Sequence, residues 1–319
     1  MGSYVINVDR IQKVSEQAMQ AINQVVLGQE ENIRFLWASF LVGGHVLLEG
    51  VPGLGKTLLV RTLARIVDCS CSRLQFTSDL MPSDVTGTKV YDMQSGKFTF
   101  RKGPIFADIL IADEINRTPP KTQSALLEAM EEKQITIDGE TYTLSPLFFV
   151  AATQNPIEYE GTYSLPEAQL DRFAVKLVVD YPEEKEEEQL LAGHRIGGRE
   201  EITLKPIVGM EEILAIRNDL EQISVDPSVV QYLLQMLRAT RRHPKVMLGA
   251  SPRAGLAILS LSKAEAAMSG RTFVTPDDVK RLIKPALRHR ILLYPEGELE
   301  GWKADDVLAE IMEASMVPR

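Results

Sequence analysis

Two stretches of this chain carry residues of the right type and spacing for phosphate chemistry. The first is Gly50-Val51-Pro52-Gly53-Leu54-Gly55-Lys56-Thr57-Leu58. Its glycines let backbone N–H groups turn inward on a phosphate chain. Lys56 offers a cation to the outer phosphates, and the Thr57 hydroxyl is a ligand for Mg²⁺. An apolar strand, His45 to Glu49, precedes the loop and a helical pattern from about 57 to 67 follows it. The helix N-terminus adds partial positive charge. A glycine turn that only joins strand to helix is the alternative, but pattern and context together predict a nucleoside triphosphate site.

The second stretch is Ile109-Leu110-Ile111-Ala112 followed by Asp113-Glu114. Acids at the carboxyl end of a buried strand lie on the edge where open α/β sheets bind ligands. Asp113 is expected in the Mg²⁺ shell, and Glu114 is expected to polarise a water for attack on a γ-phosphate. A nucleotide kinase would not need the second carboxylate. Asn155 follows the apolar run Leu147 to Ala152, so its amide should emerge at the same sheet edge. Arg253 sits one residue inside a helix that Ser251 can cap and Pro252 can open. A cation is disfavoured there unless an anion is near, so either a phosphate or a surface salt bridge is expected beside it. Asp171-Arg172 reads as an intrachain pair or as a contact to a neighbour, and Arg117 as an interface residue or a structural salt bridge.

The elements that must position these residues alternate through the first 180 positions. Strands are expected at 45–49, 73–77, 109–113, 147–153 and 174–179, with helical patterns such as 121–132 between them, the winding of a parallel sheet. Thr118 is expected to cap that helix and Pro119 to open it. Two hairpins interrupt the winding, at about 88–100 around Ser95-Gly96 and at about 135–144 around Asp138-Gly139. Ahead of the sheet, Ile11, Val14, Ala18, Ile22 and Val25 form a helical stripe. The acidic run Glu183 to Glu188 reads as a linker helix. From about 206 strand signals vanish, and helices are expected at 210–223, 227–242, 252–269, 276–288 and 304–315. The division is thus 1–183 for a nucleotide-binding core, 184–205 for a linker and 206–319 for a small all-helical domain.

The chain has 319 residues, enough for two domains, and its formal charge of −9 disfavours a broad surface for nucleic acid. Cys69 and Cys71 are too few for a disulfide framework or a zinc site. No run is long and apolar enough to span a membrane, and residues 1–30 lack an export pattern, so a cytoplasmic protein acting on protein partners is expected.

Taken jointly, the glycine loop, Ile-Leu-Ile-Ala-Asp-Glu-Ile-Asn-Arg at 109–117, Thr-Gln-Asn-Pro at 153–156, Leu-Pro-Glu-Ala-Gln-Leu-Asp-Arg-Phe at 165–173 and Gly-Ala-Ser-Pro-Arg-Ala at 249–254 resemble a MoxR-type AAA+ ATPase from about residue 10 to 315. The resemblance implies an α/β P-loop core with a five-stranded parallel sheet and helices on both faces, a helical lid, and a homo-oligomeric ring, expected to be a hexamer, with ATP between subunits. It implies that Asn155 orients the lytic water, that Arg172 is a finger offered to a neighbour's ATP, and that Arg253 senses the γ-phosphate from the lid. Val26-Leu27-Gly28-Gln29 resembles the segment that packs on adenine. The two hairpins resemble the helix-2 insertion and the hairpin before the sensor strand. The implied role is chaperone-like: remodelling or maturing a protein complex, often beside a partner with a von Willebrand factor A-type domain and sometimes inserting a metal or cofactor. A DNA-translocating motor and a non-hydrolysing nucleotide switch are the alternatives. Acidic charge argues against the first and Glu114 against the second.

Overall fold

The computed structural model describes residues 6–94, 96–156, 162–192 and 204–318. Two helices, α1 (Val8–Asn23) and α2 (Glu30–Leu41), lead into a sheet. In α1 the residues Ile11, Val14, Ala18 and Ile22 are buried along one stripe, as spacings of three and four require, with Val25 partly buried beside it.

The central sheet alternates with helices: β1 (His45–Glu49), α3 (Lys56–Val67), β2 (Cys71–Gln75), α4 (Pro82–Thr86), then an inserted hairpin of β3 (Gly87–Asp92) and β4 (Lys97–Lys102). Next come β5 (Ile109–Asp113), α5 (Pro120–Glu132), a second hairpin of β6 (Gln134–Ile137) and β7 (Glu140–Thr143), β8 (Phe149–Gln154), the single turn α6 (Glu167–Leu170), β9 (Phe173–Val178) and α7 (Glu184–Ala192). The five sheet strands are parallel in the order β2-β5-β8-β1-β9.

Alternate residues face opposite sides, and each side has its own core. Val46, Leu48, Ile109, Ile111, Phe149 and Ala151 pack with α1, α2 and α3. Leu47, Leu110, Ala112, Val150 and Ala152 pack with Leu126, Leu127 and Met130 of α5. A sheet covered on both faces needs apolar residues at nearly every strand position, which is why β1 and β5 read as unbroken apolar runs. Each fully buried aliphatic or aromatic side chain contributes about 1.5–3 kcal/mol.

Several expected boundaries move. The strand expected at 73–77 is Cys71–Gln75, since Cys71 already pairs with Ile109, and Phe76 just beyond it buries in the second core. The strand expected at 147–153 is Phe149–Gln154, and the one expected at 174–179 is Phe173–Val178. Thr118 does not cap α5. Its hydroxyl donates to the Thr77 carbonyl, and the helix opens one residue late, on Pro120. Both hairpins are found, although Ser95 at the first turn and most of 193–205 in the linker lie outside the described residues.

After the linker come α8 (Met210–Glu221), α9 (Pro227–Arg242), β10 (Val246–Leu248), α10 (Pro252–Met268), α11 (Pro276–Leu287), β11 (Leu292–Leu293), α12 (Pro295–Leu299) and α13 (Ala304–Ala314). The lid is therefore not purely helical: β10 and β11 pair as an antiparallel ribbon. Strands of three and two residues are too short to leave a period-2 pattern. One continuous core runs from α1 and α2 into the lid helices. Arg10 pairs with Glu212 at 2.8 Å and Arg34 with the buried Glu265 at 2.7 Å, so the N-terminal helices fasten the lid as well as the sheet. Among the described residues no helix is long and apolar enough to cross a membrane.

Candidate functional site

Sheet order explains the site. The loop after β1, the acids ending β5 and the polar residues ending β8 emerge from three adjacent strands, and β2 lies next along the same edge. Together they line a cavity of about 280 Å³ formed by Pro52–Leu58, Arg73, Gln75, Asp113, Glu114, Thr153, Gln154 and Asn155.

The loop is shaped by its glycines. Gly53 and Gly55 hold φ of +90° and +83°, a region costly for other residues, and nothing lies within 4 Å of where a Cβ would project. That open cradle sits at the N-terminus of α3. Lys56 Nζ donates to the carbonyls of Gly50 and Val51, the latter at 2.9 Å. Burial pushes the Lys56 ammonium below its usual pKa, with Asp113 and Glu114 opposing the shift.

Asp113 is buried, and its carboxylate is approached from three sides. Thr57 Oγ1 lies 3.4 Å from both oxygens, Thr153 Oγ1 donates to Oδ1 at 3.2 Å, and Arg73 Nε donates to Oδ2 at 2.6 Å. The paired hydroxyl and carboxylate oxygens of Thr57 and Asp113 are a donor set that suits a hard divalent cation such as Mg²⁺. Glu114 takes a left-handed backbone conformation, φ +57°, uncommon for a residue with a side chain. Its N–H donates to Thr153 Oγ1 at 2.9 Å, while its carboxylate accepts from Gln75 Nε2 at 2.7 Å and pairs with Arg117 at 3.2 Å. The Arg117 salt bridge lies within the chain. Asn155 is buried at the same edge.

Arg172 and Arg253 are brought together elsewhere, and neither lines this cavity. Both meet Glu131 near the C-terminus of α5: Arg172 Nε lies 3.0 Å from Oε2 as an ion pair without hydrogen-bond alignment, and Arg253 donates to Oε1. The Arg253 bond, followed by the nearby charges, holds the Glu131 carboxyl below its usual pKa. The backbone flanking Arg172 is gripped by the lid. Arg290 bonds to the Asp171 carboxylate at 2.7 Å and to the carbonyls of Asp171 and Phe173, and His289 to Phe173 O at 3.0 Å. Ser251 caps α10 as expected and also donates to Asp171.

Gly28 and Gln29 line a separate cavity of about 790 Å³ with Glu49, Lys176 and Arg288, next to the glycine loop along the chain. The Glu186 carboxylate from α7 lies directly over Gly28. The sequence offered no signal for Arg73 or Gln75, because their partners are 40 and 39 positions away, and Thr153 entered only as the first residue of the motif at 153–156. Glu131 was hidden in an ordinary helical pattern. The two hairpins, expected singly, pack together: Phe100 and Tyr142 rings lie 4.3 Å apart and Lys89 pairs with Glu140. Cys69 and Cys71 are free thiols, and burial pushes Cys69 up to about 12.

A phosphate loop, two acids on the neighbouring strand and a following helical lid define the class of P-loop nucleoside triphosphatases with an AAA-type lid. Comparison with known proteins narrows this. Residues 45–175 match the ATPase family associated with various cellular activities (AAA), and residues 238–311 match the AAA lid domain. The chain is 46% identical over 302 residues to uncharacterized protein YeaC of Bacillus subtilis, covering 95% of this chain and 94% of that protein. It is 38% identical over 316 residues to Chaperone MoxR1 of Mycobacterium tuberculosis, covering 95% and 82%. A crystal structure of a candidate ATPase from Cytophaga hutchinsonii superposes with a TM-score of 0.90 at 38% identity, over 98% of this chain and 97% of that one. The chain belongs to the MoxR family of AAA ATPases.

Proposed function

We propose that this protein hydrolyses ATP with Mg²⁺ and couples the reaction to remodelling or maturing a partner protein complex. The observation that carries the reading is the convergence of the open glycine cradle, Thr57, Asp113, Glu114 and Asn155 on one cavity. The cradle and α3 N-terminus would hold the phosphates, and Lys56 would leave the loop carbonyls for the outer phosphates. Thr57 and Asp113 would hold Mg²⁺, which neutralises charge on the phosphate oxygens. Glu114 accepts a proton from water as its oxygen bonds to the γ-phosphorus and the bond to the β–γ bridging oxygen breaks. Asn155 orients that water.

Arg172 and Arg253 are read as cations presented by one subunit to the ATP of the next. Their shared anchor on Glu131, outside the cavity of their own chain, supports that reading. We read the chain as 1–183 core, 184–205 linker and 206–319 lid, assembled as a hexameric cytoplasmic ring. Gly28 and Gln29 would border the base. The first hairpin exposes Val90, Tyr91, Met93 and Phe98, a surface suited to a protein client or to a von Willebrand factor A-type partner.

The test is Glu114→Gln. It should bind ATP nearly as the parent does and lose hydrolysis by roughly a hundredfold or more, the scale of a lost general base. Parent-rate turnover by this variant would remove Glu114 from the mechanism.

A further inference from the structure

Asp113 is 4% exposed, and a carboxylate so buried needs a counter-charge. Lys56 does not bond to it, because its ammonium donates to Gly50 and Val51. The bonded cation is Arg73. It stands on β2 in register with Ile111 of β5, and its Nε reaches Asp113 Oδ2 at 2.6 Å, a charge-assisted hydrogen bond. The oxygen it occupies belongs to the carboxylate that, with Thr57, forms the divalent-cation donor set. The guanidinium at 2.6 Å takes up part of one oxygen's lone-pair space, and its charge would repel a metal ion brought to the same carboxylate. Arg73 can yield, since its side chain is 48% exposed at the edge strand of the sheet.

Resting on the ATP and Mg²⁺ reading above, we propose that Arg73 is a built-in counter-ion of the metal subsite, which Mg²⁺ must displace from Asp113. It keeps the buried carboxylate paired and oriented before metal arrives. It also sets the Mg²⁺ concentration at which nucleotide is held tightly. A purely structural ion pair would hold β2 to β5 and leave metal affinity untouched.

The two are separated by titrating Mg²⁺ into parent, Arg73→Gln and Arg73→Lys proteins at a fixed concentration of a fluorescent ATP analogue, with nucleotide binding as the readout. Arg73→Gln removes the competitor, so the Mg²⁺ midpoint should fall roughly five-fold, the scale of one charge-assisted bond in a half-exposed pair. In EDTA the same variant should bind the analogue more weakly than the parent, because Asp113 then faces the phosphates unpaired. Arg73→Lys keeps a cation and should return the midpoint toward the parent value. Coincident midpoints for parent and folded Arg73→Gln would overturn the proposal, as would a Lys variant that behaves like Gln. If Arg73→Gln does not fold, Arg73→Met, which keeps the aliphatic stem, is read in the same titration. A parent that binds no analogue with Mg²⁺ would instead overturn the ATP reading itself.

Discussion

The phosphate cavity and the Glu131 cluster contrast in how they are built. The first lies within one sheet edge: the loop, Asp113, Glu114, Thr153 and Asn155 come from adjacent strands, and Thr153 bonds both Asp113 and Glu114. The second joins α5, the turn before β9 and the first turn of α10, and its two arginines share one glutamate outside the lining of that cavity. That division is the one the proposed sharing of a site between two copies requires. The lid contacts sharpen the contrast. Arg290 and His289 bind the backbone on both sides of Arg172, so lid position and the presentation of that arginine are mechanically joined.

The largest effect is expected from separating the halves. Arg172→Ala should bind ATP through its own loop yet hydrolyse it on the order of a thousandfold more slowly, the scale of a lost arginine finger. Mixed with Lys56→Ala subunits, themselves inactive, it should recover activity wherever an intact loop faces an intact arginine. Demonstrated co-assembly without recovery would break the comparison, for the arginine would then act within its own chain.

A smaller effect is expected at the hub. Glu131→Gln leaves two guanidinium groups close together without their shared carboxylate, and loss of that preorganisation should cost about tenfold in kcat with little change in ATP affinity. A rise in kcat would show that Glu131 withholds the arginines from phosphate.

The last effect bears on stability rather than on rate and concerns pH. His45 bridges β1 to its surroundings, meeting Met130 O at 3.1 Å and accepting from Val150 N at 3.0 Å, and burial lowers its pKa from 6.5 to about 4. His289, beside Arg172, is lowered in the same direction, by burial first and then by Arg290. Because the unfolded chain takes up protons first, stability is full above about pH 6.5 and is lost as pH falls toward 4. His45 accounts for a loss on the order of 3 kcal/mol at the acid end. Thermal melts from pH 7 to 4 should show a declining midpoint, with a shallower decline in His45→Gln. Equal slopes would mean that His45 titrates alike in the folded and the unfolded chain.

Much of the binding half was legible because its information is local. A glycine loop between a strand and a helix, or two acids closing an apolar run, are contiguous in sequence, and the backbone geometry they need is set by neighbouring residues. The burial of β1 and β5 followed from their unbroken apolar runs, and Ile11, Val14, Ala18 and Ile22 declared a helical face by spacing alone. The same reasoning could not find Thr118's bond to Thr77, the β10–β11 ribbon, or the packing of α1 on the lid, since none of these leaves a periodic trace. Nor could it tell whether Arg117 would pair within the chain.

Residue types and short spacings thus set which groups are at hand: a glycine loop opening a helix, a hydroxyl beside a carboxylate, and a second carboxylate. Chain topology settled which cations face that chemistry. Winding the strands as β2-β5-β8-β1-β9 set Arg73 against Asp113 and Gln75 against Glu114 across 39 or 40 positions. Docking the lid carried Arg253 across 122 positions to the glutamate that also meets Arg172. The physical reason is that an ion pair depends on distance in space, whereas loops and helices depend on dihedral angles of residues adjacent along the chain.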